Sequence, residues 1–175
     1  MKILFIIPYV PSLVRVRSYQ IVRHIKERGH HVTLATITTN RQEKIELDQF
    51  REHCDEIISV QVPTMRSLLN CALALPTQLP LQAVFNWDPD LFNLIQNRLW
   101  TENGQPAYDV IHIEHLRGSQ YGVRLKELQG IHSNQKFPPI VWDSVDCISY
   151  LFTQAAKQSK QGFKRWISKF DLQRT

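Results

Sequence analysis

The sequence predicts an α/β protein with a doubly wound parallel sheet, and three observations lead to that prediction. Residues 3–7 form a continuous apolar run, which is typical of a central parallel strand buried on both faces. A helical segment and a second segment rich in β-branched residues follow within about forty residues, which together make a βαβ unit. The alternation of strands and helices then continues, as expected when helices cover both faces of one sheet.

Each element follows from a local pattern. The segment 15–28 places apolar residues on one helical face and ends at Gly29, a residue that readily adopts the left-handed conformation that stops helices. Asp88 and Pro89 suit a helix cap and a first helical position, so a helix should run from there to near Trp100. The other predicted elements are strands at 31–37, 56–62, 110–113 and 139–143, helices at 41–53, 119–128 and 148–172, and core contacts from Ile45, Leu47 and Phe50.

Residues 64–87 are the least regular part of the chain. An apolar pattern predicts a helix at the start, but Pro76 and Pro80 interrupt it, so we expect an irregular segment to follow. Two interpretations stay open for this segment: it packs against the core, or it offers an apolar surface to a lipid or a partner. Its large apolar residues are Leu79, Leu81, Val84, Phe85 and Trp87.

Composition narrows the class of protein. The chain has 175 residues, a formal charge of +5 and 43% apolar residues, which fits one globular domain with a mild preference for anionic partners. The three cysteines are far apart and outside any Cys-x-x-Cys pattern, so a reducing cytoplasmic setting is expected. The first apolar run is too short for a signal peptide, and no run of about 18 apolar residues occurs that would span a membrane.

The ends of two strands should form a ligand crevice. Doubly wound sheets commonly have the strand order 3-2-1-4-5, in which strands 1 and 4 are neighbours and the ligand binds beyond their carboxyl ends. Polar and ionisable side chains follow these strands, and such groups at a crevice are candidates for function. The candidates are Tyr9, Ser12, Arg15 and Arg17 after the first strand, Glu114, His115 and Arg117 after the fourth, and Asp143 and Asp146 after the fifth.

Simpler interpretations of these residues also stay open. Arg15 and Arg17 suit solvated positions in the first turn of a helix, although cations there oppose the helix dipole and an anionic ligand would offset that effect. Glu114 and His115 suit a salt bridge with Arg117 at the end of the strand.

Several functions lack their motifs. Residues 8–28 contain no glycine, so neither a dinucleotide-binding turn nor a phosphate-binding Walker loop is present. No Gly-x-Ser-x-Gly sequence supplies a hydrolase nucleophile. His112 and His115 are three apart on an extended strand and should point to opposite faces, so no metal site is expected. We expect no nucleic-acid partner and no cofactor.

Four segments resemble the N-terminal half of GT-B glycosyltransferases of the group 1 / family 4 type. The first two, MKILFIIPYVP (1–11) and RSYQIVRHIKERGHHVTLA (17–35), are similar to the family's opening βαβ unit. The other two, YDVIHIEHLRGSQYG (108–122) and VWDSVDCIS (141–149), are similar to its fourth strand and its next strand and loop. The resemblance therefore spans essentially the whole chain, as a single Rossmann-like domain.

This resemblance implies a function and a domain arrangement. The N-terminal domain of such enzymes holds the acceptor, while a C-terminal domain holds a nucleotide-sugar, and transfer is metal-independent and usually retaining. Residues 1–146 would be the acceptor-side domain, and 147–175 a long amphipathic helix that leads to a donor-binding domain. Glu114 and His115 would be catalytic, and the other crevice residues would bind acceptor or phosphate. The 175-residue chain alone is expected to be inactive.

The resemblance also implies partners and two departures from the family pattern. The expected partners are a nucleotide-sugar, which is a substrate, and a glycan or lipid-linked acceptor, so a peripheral contact with the inner face of the membrane is plausible. Family members often have a Gly-Gly loop where this chain has 12–17, and many have a His at the position of Glu114. The rival interpretation is a non-catalytic α/β interaction module that docks a partner through 64–87 and the terminal aromatic residues.

Overall fold

The fold is a five-stranded, all-parallel sheet with helices on both faces, in agreement with the predicted doubly wound architecture. A computed structural model describes residues 1–144, 150, 153–154 and 173–174. The expected helix over 148–172 therefore lies almost entirely outside the described residues. The strands are β1 (Lys2–Ile6), β2 (His31–Thr38), β3 (Glu56–Gln61), β4 (Val110–Glu114) and β5 (Ile140–Asp143), and the helices are α1 (Val16–Glu27), α2 (Arg41–Phe50), α3 (Thr64–Ala74), α4 (Leu81–Phe85), α5 (Pro89–Gln96) and α6 (Ser119–Ile131).

The strand order is β3-β2-β1-β4-β5, which confirms the order expected from the sequence. β1 lies at the centre and pairs with β4 in the register Phe5 to His112 and Ile6 to Ile113. The chain winds away from this pair in both directions. The carboxyl ends of β1 and β4 are consequently side by side, where open α/β sheets bind ligands.

Apolar residues fill the space on both faces of the sheet. On one face, buried residues of β1 and β2 pack with Val22 of α1 and with Leu47 and Phe50 of α2. On the other, strand residues pack with α5 and α6. Ile45 was expected in the core but is 45% exposed. Residues two apart on a helix do not share a face, so the stripe set by Leu47 and Phe50 turns Ile45 towards solvent.

Two predicted helix signals are confirmed, at Asp88 and Gly29, whereas α5 ends at Gln96 and not near Trp100 as expected. The Asp88 carboxylate accepts hydrogen bonds from the backbone N–H groups of Asp90 and Leu91, at 2.9 and 3.1 Å, so it caps α5 as expected. Gly29 has a φ of 79°, the left-handed conformation expected after α1. The 51–53 end of the predicted second helix forms a separate 3₁₀ turn, since α2 ends at Phe50.

Residues 64–87 pack against the core in one part and expose apolar side chains in another. The segment expected to be irregular contains α4, whose Val84 is buried, so this part packs against the core. α3 instead leaves four large apolar side chains exposed: Met65, Leu68, Leu69 and Leu73.

α4 touches the loops that follow both central strands. The side-chain amide of buried Asn86, directly after α4, donates a hydrogen bond to the carbonyl of Pro8 in the loop after β1. The Tyr121 hydroxyl donates to the Asn86 carbonyl at 2.9 Å, which holds this position against α6. The guanidinium of Arg117, after β4, lies 5.7 Å from the centre of the Phe85 ring. These contacts place α4 beside the crevice.

Gly118 allows the turn after β4 to approach the strand closely. A Cβ atom at this position would lie 2.7 Å from Cγ2 of Ile113, and its next neighbour would be Cδ of Pro8, at 3.6 Å. Real Cβ contacts are essentially never that short, so any other residue would force the turn outward. The glycine therefore lets the turn after β4 pack directly on Ile113 of the strand.

Candidate functional site

The crevice contains a group of interacting polar side chains around the carboxylate of Glu114, which we call the inner cluster: Tyr9, Arg17, Ser18, Glu114 and Asp143. Glu114 is the last residue of β4 and is only 2% exposed. The Ser18 hydroxyl donates a hydrogen bond to Oε1 of Glu114 at 2.7 Å, and the Tyr9 hydroxyl donates to the same oxygen at 3.3 Å. Buried polar groups need such partners, so these bonds stabilise the carboxylate in place.

Arg17 connects two strands of the sheet. Its guanidinium lies 3.6 Å from Glu114 and 2.6 Å from Asp143, which is the last residue of β5. The hydrogen bond to Asp143 is the main reason why the pKa of Arg17 is raised. Glu114 therefore pairs with Arg17, whereas the sequence had suggested a salt bridge with Arg117. The unfavourable effect of a cation in the first turn of α1 is offset here by the chain's own carboxylates.

Burial also changes the chemistry of Tyr9. The pKa of its phenol is raised, chiefly because burial disfavours the phenolate, and the charge of Glu114 acts in the same direction. Tyr9 therefore stays protonated and serves as a hydrogen-bond donor within the inner cluster.

His115 follows β4 in a conformation that side-chain-bearing residues rarely adopt. Its φ is 67° and its ψ is 162°, and within the described residues no other non-glycine residue has a positive φ. Such backbone strain is of order 1–3 kcal/mol and is concentrated at functional sites. The backbone N–H of His115 donates to the Asp143 carbonyl at 2.8 Å, and the ring Nδ1 accepts from the Arg117 N–H at 3.2 Å. The sheet and the turn thus hold the residue from both sides.

Arg15 and Arg117 form a second feature, the outer pair. The Arg15 guanidinium stacks on the Tyr9 ring at 4.8 Å, donates to the Val10 carbonyl at 3.1 Å and lies 3.9 Å from Glu43. Arg117 is partly buried, and its pKa is lowered by burial and then by the positive charge of Arg15. Among the described residues, its guanidinium makes no ion pair or hydrogen bond; its contact is the Phe85 ring. A partly desolvated cation beside another cation favours an anionic ligand.

Ser18 and His112 belong to the site but were not predicted. Ser18 is buried on the first turn of α1, and its role follows from Glu114, which is distant in sequence. His112 lies two residues before Glu114, so both side chains point to the same face of the sheet. Its Nε2 lies 3.6 Å from Asp143, while its Nδ1 is buried and has no hydrogen-bond partner within the described part of the chain. Burial is the main reason why the pKa of His112 is lowered.

One predicted residue, Ser12, lies apart from the others. The Ser12 hydroxyl accepts a hydrogen bond from the Arg15 N–H at 3.4 Å and faces a neighbouring cleft between the loop after β1 and α2. Asp146 lies outside the described residues. The remaining candidates do come together: Tyr9, Arg15 and Arg17 from one loop face Glu114, His115 and Arg117 from the other, with Asp143 beside them.

Within the described ranges, no group of three or more His, Cys, Asp or Glu residues could hold a metal ion. None of the described helices is both long enough and apolar enough to cross a membrane. Comparisons with protein-family models, curated proteins and solved structures give no match to this chain.

Proposed function

We propose that this chain is the acceptor-side domain of a GT-B glycosyltransferase of the group 1 / family 4 type. It would act with a second, donor-binding domain in the cytoplasm and make a peripheral contact with the membrane surface. The reaction would move a sugar from a nucleoside diphosphate-sugar to a hydroxyl of a glycan or lipid-linked acceptor and release the nucleoside diphosphate, without a metal and with retention of configuration. The nucleotide-sugar would be a substrate rather than a cofactor.

One observation carries this proposal. Arg117 is a partly buried cation next to Arg15, it lacks an anionic partner among the described residues, and it lies at the carboxyl ends of the two central strands. Anions bind readily at such a position because the surrounding burial strengthens their attraction to fixed cations. The leaving group of glycosyl transfer is a diphosphate, so negative charge would develop where these cations lie.

The inner cluster supports a division of roles between Glu114 and His115. Glu114 is buried and its contacts are with Tyr9, Ser18 and Arg17, so it positions the loop after β1 relative to β4. His115 accepts a hydrogen bond at Nδ1, which leaves Nε2 as the protonated nitrogen of the neutral ring. A donor of this kind can orient an acceptor hydroxyl or a phosphate oxygen during transfer.

The proposal is tested with the full-length protein and a panel of nucleotide-sugars and acceptors. Released UDP or GDP is measured for the wild type and for the variants His115→Ala and Glu114→Gln, with folding checked by circular dichroism. We expect each substitution to lower the transfer rate by orders of magnitude while the domain stays folded. Wild-type turnover in both folded variants, or no turnover with any donor, would exclude the proposed site.

The exposed face of α3 favours a second candidate, a non-catalytic interaction module. Met65, Leu68, Leu69 and Leu73 form an apolar surface of the kind that marks contact sites. The variant Leu69→Glu/Leu73→Glu distinguishes the candidates. If the protein is an interaction module, this change abolishes a complex that the wild type forms, and no nucleotide is released by either protein. If it is a transferase, turnover on soluble acceptors survives the change.

A further inference from the structure

A cleft of about 370 Å³ lies beside the crevice, between the loop after β1 and helix α2. One wall of the cleft is polar, with two amide and two carboxylate side chains. The opposite wall is the loop, which contributes Pro11, Leu13 and Val14. The residues with polar side-chain groups that line the cleft are Ser12, Tyr19, Gln42, Glu46, Gln49 and Glu52.

The apolar wall of the cleft is open to solvent. Leu13 is 75% exposed and Val14 is 92% exposed, although both line the cleft. Tyr19 is held against Phe50, with 5.2 Å between the ring centres, and its hydroxyl lies 2.9 Å from Nε2 of His53. A ligand in the cleft would cover apolar surface on one side, as small-molecule sites do, and meet polar groups on the other.

The charge of the cleft is opposite to that of the outer pair. Glu46 and Glu52 line it, and the lining contains no lysine or arginine. Within the described residues, Glu46 accepts a hydrogen bond from the Gln42 amide at 3.4 Å, and Glu52 lies 3.6 Å from Nε2 of His53. The cleft therefore offers hydrogen-bond acceptors in excess, which suits a ligand rich in hydroxyl donors and disfavours an anionic one.

We propose that this cleft binds the sugar ring of the acceptor, and that the ring carries no anionic substituent. The inference rests on the proposed function and specifies its substrate class. Hydroxyl groups would donate to Glu46 and Glu52 and exchange hydrogen bonds with Gln42 and Gln49, while the C–H face of the ring packs on Leu13 and Val14. The cleft shares its loop with the crevice, since Ser12 accepts from the Arg15 N–H. An acceptor held there lies next to the cations proposed for the donor diphosphate.

The test measures binding of methyl glycosides to this chain by nuclear magnetic resonance. The panel contains the methyl glycosides of glucose, galactose, mannose and glucosamine, with methyl glucuronide as the anionic comparison. We expect shifts of the Gln42 and Gln49 side-chain amide signals with at least one glycoside of the first group and none with the glucuronide. Glu46→Gln should weaken binding about tenfold, because one charge-assisted hydrogen bond is lost.

Two control variants separate this inference from the proposed function. Asp48→Asn removes a carboxylate from the same helix but outside the cleft, so glycoside binding should not change. Arg117→Met should lose inorganic pyrophosphate binding and keep glycoside binding. If pyrophosphate binds and no glycoside does up to its solubility limit, the cleft assignment is wrong while the proposed function stands. If a glycoside binds equally well to Glu46→Gln, the cleft assignment is also wrong.

Discussion

The inner cluster and the outer pair occupy the same crevice but differ in how their charges are satisfied. Glu114 is buried and receives hydrogen bonds from Ser18 and Tyr9 while Arg17 balances its charge. Arg117 is partly buried beside Arg15. Within the described residues, its guanidinium contacts the Phe85 ring and pairs with no anion. The charge of the inner cluster is balanced by groups of the chain itself, whereas a bound anion would balance the charge of the outer pair. The two regions are distinguished by the partners of each charged side chain, and not by the fact that a charged group is buried.

This difference predicts which residues support stability and which support binding. A buried carboxylate with partners from another element holds that element in place, so its loss should destabilise the fold. A partly buried cation without an anionic partner has an unfavourable desolvation free energy that no ion pair offsets. Its loss should therefore leave the free energy of unfolding unchanged or higher.

The largest effect is expected for Glu114→Ala. It leaves Ser18 and Tyr9 without their acceptor and should lower the free energy of unfolding by about 2 kcal/mol, less than for a fully buried ion pair because Arg17 is 46% exposed and can be hydrated. Urea denaturation measures this. The matched control is Glu127→Ala, an exposed carboxylate that pairs with Arg124 at 2.9 Å, which should change stability by less than about 0.5 kcal/mol. Equal effects in the two variants would remove the distinction between the inner cluster and the surface.

The next comparison is between Arg17→Met and Arg117→Met. Loss of Arg17 removes the cation that balances the buried carboxylate of Glu114 and should lower stability by about 1 kcal/mol. Loss of Arg117 should not lower stability, but it should weaken inorganic pyrophosphate binding at least tenfold, as measured by calorimetry. If Arg117→Met is the more destabilising of the two, the outer pair has a structural role that the contacts do not reveal.

His115 supplies a test of the strained backbone between the two regions. His115→Gly and His115→Ala both remove the ring, but only glycine adopts a φ of 67° and a ψ of 162° without strain. We therefore expect the glycine variant to be about 1 kcal/mol more stable than the alanine variant, even though glycine usually loses more conformational entropy on folding. Thermal unfolding of the two variants measures the difference, and a more stable alanine variant would contradict the strained conformation.

The smallest effect is expected from His112, at the edge of the inner cluster. Its pKa is lowered by burial, so the unfolded chain binds a proton at a higher pH than the folded one does. The stability contribution is fully present above the unfolded pKa of about 6.5 and is lost as the pH falls below it. His112→Gln should flatten the dependence of stability on pH in that range. An unchanged slope in the variant would show that other groups cause it.

Most of the fold was predictable because its signals are local. The strand order, the Asp88 cap and the left-handed Gly29 follow from patterns within a few residues or from general rules of sheet winding. The crevice was predictable for the same reason, since strand order determines which loops are neighbours. Ile45 was misplaced because an apolar residue on a short helix indicates burial only when it shares the face of its neighbours.

The connections inside the site were not predictable. The bond from Ser18 to Glu114 spans 96 positions of the chain, and no local pattern marks a serine on a first helical turn as a partner of a distant carboxylate. The same holds for Asn86, which reaches Pro8 across 78 positions. Which arginine pairs with Glu114 depends on side-chain direction rather than on sequence spacing, so Arg17 and Arg117 could be told apart only in three dimensions.

The small helix α4 determines how the two loops of the crevice can move. Asn86, at its end, donates a hydrogen bond to Pro8 in one loop, and the Phe85 ring contacts Arg117 in the other. The hydrogen bond from Tyr121 to Asn86 connects the helix to α6. Because α4 contacts both loops, the loops cannot separate without a change at α4. A wider crevice therefore requires α4 to change its tilt. α3 packs directly on α4. A molecule bound to the exposed apolar face of α3 would therefore affect the tilt of α4.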